Sequence, residues 1–187
     1  MKTSFPLAAT ALAALTLLTA PVPAADQGFN ATPSPVALEA MKKVDFLAGE
    51  WEGDATVDMG PRGKLAVRQT EVVKRHLGGL ALAIEGRGYT KDAAGVETLA
   101  FEAYGTLSYD LNSGKYRLMA VKAPGEVVDP EVTMMDKGFV WSFPTKYGRM
   151  RYTLRLTPEG RWHEVGEMSP DGGTTWMKTV EMTLKRK

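Results

Sequence analysis

The chain has 187 residues, enough for one domain with a core of its own. It has no cysteine, which excludes disulfides and a lipid-modified cysteine anchor. Its 23 Lys+Arg stand against 22 Asp+Glu, a balance that argues against nucleic acid or an anionic membrane as the main partner.

The first stretch, "MKTSFPLAATALAALTLLTAPVPAADQ", sets Lys2 before an apolar run from Phe5 to Leu18, then small residues and prolines. That order predicts a secretory signal over residues 1–24, cut between Ala24 and Ala25, with Val22 and Ala24 at the small-residue positions. A spanning helix needs roughly 20 apolar residues, and this run is shorter and ends in proline. The expectation is an exported protein, periplasmic or secreted, with no stable membrane anchor after cleavage. Removing Lys2 lowers the cations from 23 to 22, equal to the 22 acids. The next residues, 25–34, are rich in Pro, Asn, Ser and Thr and read as a flexible lead-in.

A single domain is expected over residues 35–187. Ser34 can cap a helix with Pro35 at its first position. Val36, Leu38, Met41, Val44, Phe46 and Leu47 recur at helical spacing, which predicts a helix from about Pro35 to Phe46. After Gly49 the texture changes to short runs broken by "GPRG", "GG", "KDAAG", "LNSG", "PGEVVDP", "KG", "TKYG", "PEG" and "PDGG". These breaks delimit about ten strands, and "PGEVVDP" reads as an acidic loop. Several runs alternate: Met150, Tyr152, Leu154 and Leu156 oppose Arg149, Arg151, Thr153 and Arg155. One dry face and one wet face per strand suits an antiparallel sheet, and closing it into an up-and-down barrel removes the edges. The predicted class is all-β, with one N-terminal helix.

The stretch "DFLAGEWEGDA" sets Trp51 between Gly49 and Gly53. A short helix followed by Gly-x-Trp is a calycin-type signal, and "FLAGEWEG" resembles the opening of the bacterial lipocalin-like family called domain of unknown function 1579. More distantly, it is similar to the opening of the nitrobindins. "GTLSYDLNSGKYRLM" resembles the former family's strand–turn–strand segment, and "SPDGGTTWMKTVEMTLKRK" its C-terminal hairpin. The likeness spans most of Val36 to Lys187. It implies a small barrel with an internal cavity, a helix plugging one end, and Trp51 packed there as a structural anchor. It implies no reaction, since the family has no settled activity and a fold does not supply one.

The residue types that carry chemistry are sparse. Zinc wants several His or Cys ligands, and the two histidines, His76 and His163, are far apart in sequence. No calcium-loop spacing and no nucleophile-elbow motif occurs. No metal and no cofactor is expected. Nitrobindins carry a His-x-His pattern in the last strand to hold haem; Thr179 and Glu181 stand at the corresponding places here. His163 is the one imidazole with an inward option. Polar residues with inward potential are Arg68, Glu71, Glu102, Tyr104, Arg117, Arg151, His163 and Glu181. Six of these, Arg68, Tyr104, Arg117, Arg151, His163 and Glu181, are the candidate ligand-binding set; Glu181, if inward, needs an arginine partner. The leading expectation is a non-enzymatic barrel that binds a small apolar or amphipathic molecule. The alternatives are a calycin-like enzyme acting on a small organic acid through a Glu–Arg or Tyr–Arg pair in the cavity, which would show a carboxylate and a phenol there within hydrogen-bond reach, and a barrel filled by its own side chains that acts through its surface.

Overall fold

The computed structural model describes residues 32–123 and 125–187, and Thr32–Lys187 form one compact unit. The expected signal segment and most of the lead-in lie outside the described residues.

Helix α1 runs from Pro35 to Lys42, with Ser34 at its N-cap and Pro35 in the first turn. It is shorter than the spacing predicts. It ends at Lys42, a turn through Lys43 and Val44 (φ −111°, ψ 0°) follows, and a separate 3-10 turn covers Asp45–Leu47. Two hydrogen bonds from Arg75 to the Asp45 carboxylate fasten that turn to the sheet. Met41, Val44 and Leu47 therefore still point to one side, and all three are buried.

Eleven strands follow: β1 (Gly49–Asp58), β2 (Lys64–His76), β3 (Ala81–Lys91), β4 (Glu97–Asp110), β5 (Lys115–Lys122), β6 (Glu126–Val128), β7 (Glu131–Met135), β8 (Gly138–Thr145), β9 (Gly148–Leu156), β10 (Trp162–Ser169) and β11 (Met177–Arg186). They form one antiparallel sheet in the order β6-β5-β4-β3-β2-β1-β11-β10-β9-β8-β7, curled into a half-barrel. Strands adjacent in sequence pair with each other, except β6 and β7, and β1 joins β11, with Trp51 opposite Arg186 and Val57 opposite Val180.

The expected count of ten is corrected to eleven. The extra strand, β6, lies inside the segment read as a loop. It is only three residues long and pairs with β5 through Val128 opposite Ala120 and Glu126 opposite Lys122. Complete closure is corrected as well: β6 and β7 are the two edges of the sheet, joined by Asp129 and Pro130. Proline has no N–H to give to a ladder, so the break falls where the backbone cannot pair. Strands β5 and β7 still lie close together across this seam.

The core gathers at one end. Met41, Val44 and Leu47 pack with Trp51, Val73, Leu107, Phe139, Leu154, Trp162 and Leu184. Fully burying side chains of this size stabilises by roughly 1.5–3 kcal/mol each. The Trp51 ring is 1 % exposed and meets Trp162 edge-on at 5.8 Å between centroids. Its indole N–H donates to the Leu47 carbonyl at 2.7 Å, tying the 3-10 turn to β1.

Candidate functional site

Above this packed end the inner face opens into a cavity of about 560 Å³. Period-two alternation decides which side chains reach it. On β2, Val67, Gln69 and Glu71 point inward; on β9, Met150, Tyr152 and Leu154; on β10, Trp162 and Glu164. Trp51 belongs to the layer beneath and does not line the space.

One wall is aromatic. Trp141 and Tyr152 are cross-strand partners whose rings stack at 4.0 Å with 9° between planes. Phe143 continues the series, 15° from Trp141. Three near-parallel rings give a flat guest a stacking direction. Burial pushes the Tyr152 hydroxyl up to about 12, and the charges of Glu164 and Glu126 add to the effect.

The polar groups sit at the floor. Glu71 stands opposite Trp51 in register and is 6 % exposed. Its Oε1 accepts a hydrogen bond from the Gln69 amide at 2.8 Å. Glu164, also 6 % exposed, accepts from two indoles: Trp141 to Oε1 at 3.1 Å and Trp162 to Oε2 at 3.0 Å. Neither carboxyl is in an ion pair among the described residues. Burial pushes Glu71 up to about 8; the Gln69 hydrogen bond opposes this and the charge of Glu164 reinforces it. Burial likewise raises Glu164, against its two indole donors and the charge of His163.

Strand β3 makes room for these groups. Gly86 lies opposite Glu71 and Gly88 opposite Gln69. A Cβ at Gly86 would come within 2.8 Å of both Glu71 carboxyl oxygens, and one at Gly88 within 2.9 Å of the Gln69 side-chain oxygen.

The six residues singled out from the sequence lie elsewhere. None of them lines the cavity. Arg68 joins Glu97 at 2.8 Å and Glu52 at 3.2 Å. Tyr104 is 50 % exposed. Arg117 pairs with Asp129 at 2.7 Å. Arg151 pairs with Glu167 at 2.8 Å and lies over the Trp176 ring. His163 and Glu181 are brought together at 3.0 Å, with Lys178 on the other Glu181 oxygen. The inward option for His163 is corrected: Trp162 and Glu164 on either side of it take the inner face, so the imidazole takes the outer one. Of the wider polar set, only Glu71 reaches the cavity.

Among the described residues, no group of three or more His, Cys, Asp or Glu is arranged to hold a metal ion. No helix there is long and apolar enough to cross a membrane.

A curled antiparallel sheet with one short helix at its packed end and an apolar cavity above defines a calycin-like fold. Solved structures share it, two of them as follows. Rv2717c from M. tuberculosis matches with a TM-score of 0.57 at 15% identity, over 82% of this chain and 98% of its own. The S-type phycobiliprotein lyase CPES from Guillardia theta matches with a TM-score of 0.53 at 9% identity, over 80% of this chain and 91% of its own. At these identities the likeness concerns the fold alone. No family model and no curated protein sequence matches the chain.

Proposed function

We propose that the protein is an exported carrier that holds one small, flat and largely apolar molecule inside its barrel. The cavity carries this reading. A barrel of this size can be filled by its own side chains, whereas this one leaves about 560 Å³ between apolar walls, within the range of small-molecule sites. A few polar groups among such walls are what orients a ligand. The enzyme alternative asks for a carboxylate and a phenol within hydrogen-bond reach. Among the described residues, no hydrogen bond joins Tyr152 to Glu71 or Glu164. Binding is therefore the function the geometry supports better. The export half of the proposal rests on the order of residues 1–24.

Native mass spectrometry of protein purified from its own host tests the carrier reading. A discrete extra mass, lost on denaturation, is expected; repeated ligand-free spectra count against it. Cell fractionation with N-terminal sequencing tests export, with a mature chain beginning at Ala25 as the expected result.

A further inference from the structure

We infer that the cavity selects a flat aromatic guest bearing an ammonium or similar cationic N–H group, which sits on the floor between Glu71 and Glu164. This rests on the carrier reading and names the class of ligand.

The first support is the state of the two carboxyls. Glu71 is more than nine-tenths buried, and Gln69 is its sole hydrogen-bond donor among the described residues. No fully enclosed polar side-chain atom lacks a partner among the described residues. The second Glu71 oxygen therefore keeps accessible surface, and the cavity is the space that this side chain lines. Glu164 sits within the same floor, held in place by Trp141 and Trp162, close enough that its charge acts on Glu71.

The second support is the charge around them. The other charged groups lining the space are Asp58 on β1 and Lys122 on β5. Asp58 is exposed and accepts from the Gly60 N–H at 2.8 Å. The Lys122 ammonium is bound to Glu126 at 2.8 Å and lies over the Phe143 ring. Tyr152 on β9 and Gln69 on β2 are neutral. The floor thus holds acceptors and no cation of its own. A neutral apolar guest would shut the open Glu71 oxygen off from water with nothing in exchange. A carboxylate guest would leave water for a floor that has no cation to pair with it. A cation favours the ionised form of Glu71, which burial otherwise keeps protonated at pH 7, and gains from that carboxylate with Glu164 beside it.

The third support is shape. The glycines at 86 and 88 let the Glu71 carboxyl and the Gln69 amide lie close over β3, in the room a Cβ would take, which leaves the space above them to a guest. The near-parallel rings of Phe143, Trp141 and Tyr152 add a surface for the flat part of the guest and for its charge.

Three probes that share one naphthyl group test this at pH 7 by titration calorimetry: 2-naphthylmethylammonium, 2-naphthylmethanol and 2-naphthylacetate. The ammonium is expected to bind at least tenfold more tightly than the alcohol, and the carboxylate more weakly than either. Glu71→Gln should remove most of the ammonium preference, with an unchanged circular-dichroism spectrum showing the fold intact. Glu164→Gln, read the same way, serves if the first variant does not fold. Equal affinity for the three probes, or an ammonium preference that survives both substitutions, overturns the inference and leaves the carrier reading standing. No binding by any of the three up to their solubility limits overturns both.

Discussion

The guanidinium of Arg186 lies 4.1 Å from the centre of the Trp51 ring, covering it from the last strand. The same group donates to the carbonyls of Phe46, at 2.7 Å, and Ala48. It therefore clamps three things at once: the 3-10 turn, the start of β1 and the tryptophan beneath. Trp51→Ala removes the largest fully buried side chain and leaves a void under Trp162. The expected loss is ~3–5 kcal/mol, as for other large aromatics in cores. Chemical denaturation followed by circular dichroism measures it. A loss below roughly 1 kcal/mol would contradict the anchor role.

Gly49 completes the clamp. Its φ is +136°, where L side chains are strained, and the Arg186 guanidinium occupies the space a Cβ would need. Gly49→Ala should therefore destabilise by ~1–3 kcal/mol. Pairing it with Arg186→Ala separates the two causes. If crowding dominates, the double variant loses much less than the sum of the singles; if backbone strain dominates, the losses add.

Glu71 makes stability depend on pH in an unusual direction. Its carboxyl titrates near 8 in the folded chain, against 4.5 for an unperturbed glutamate. A raised folded value means that the protonated form is the one the fold favours. Its contribution is complete below about pH 4.5 and is lost as pH rises through about 8. Each unit of difference corresponds to ~1.4 kcal/mol. Relative to wild type, Glu71→Gln should gain ~2 kcal/mol or more at pH 9 and nothing at pH 4.5. Melting curves across that range check it, and a constant difference would show that Glu71 is solvated.

Haem offers a sharp control on the site. The imidazole of His163 is engaged with Glu181 on the outer face and does not line the cavity. His163→Ala should therefore leave any Soret change on haem titration unaltered, because the imidazole cannot supply a proximal ligand from there. A Soret shift at one equivalent that vanishes in the variant would place the ring inside.

Much of the fold is written in turn residues and alternation, because both follow from backbone geometry alone. Gly-rich breaks mark ten strands correctly as separate runs. They miss β6, whose three residues between Gly125 and Asp129 are too few to alternate visibly. The calycin-like architecture was readable from Gly49-Glu50-Trp51 and the run of strands. The site was less so. A charge flanked by apolar neighbours looks the same whether it faces a cavity or an outer ion pair, and Arg68, Arg151 and Glu181 turn out to be paired on the outside. Strand parity holds a sharper signal. Glu71 shares parity with Val67 and Val73, whereas Arg68 does not. Glu164 shares parity with Trp162, and the histidine between them drew attention from it. That the glycines at 86 and 88 make room for Glu71 and Gln69 depends on cross-strand register, which one strand's sequence does not contain.

The pairing of β1 with β11 sets the order in which the molecule can be made. Every other ladder joins strands adjacent in the chain, so those hairpins can form from local contacts as they emerge. Strand β1 gains β2 early, yet its other edge waits for residues near 180–186. Until then Trp51 lacks both Arg186 and Leu184, and the packed end has an open side. Closing so long a loop costs entropy before its contacts form, so this ladder is the slow one among otherwise local hairpins. The last ladder to close is thus also the one that seals the tryptophan layer under the cavity, so a chain stalled short of β11 would have ten strands and an open base.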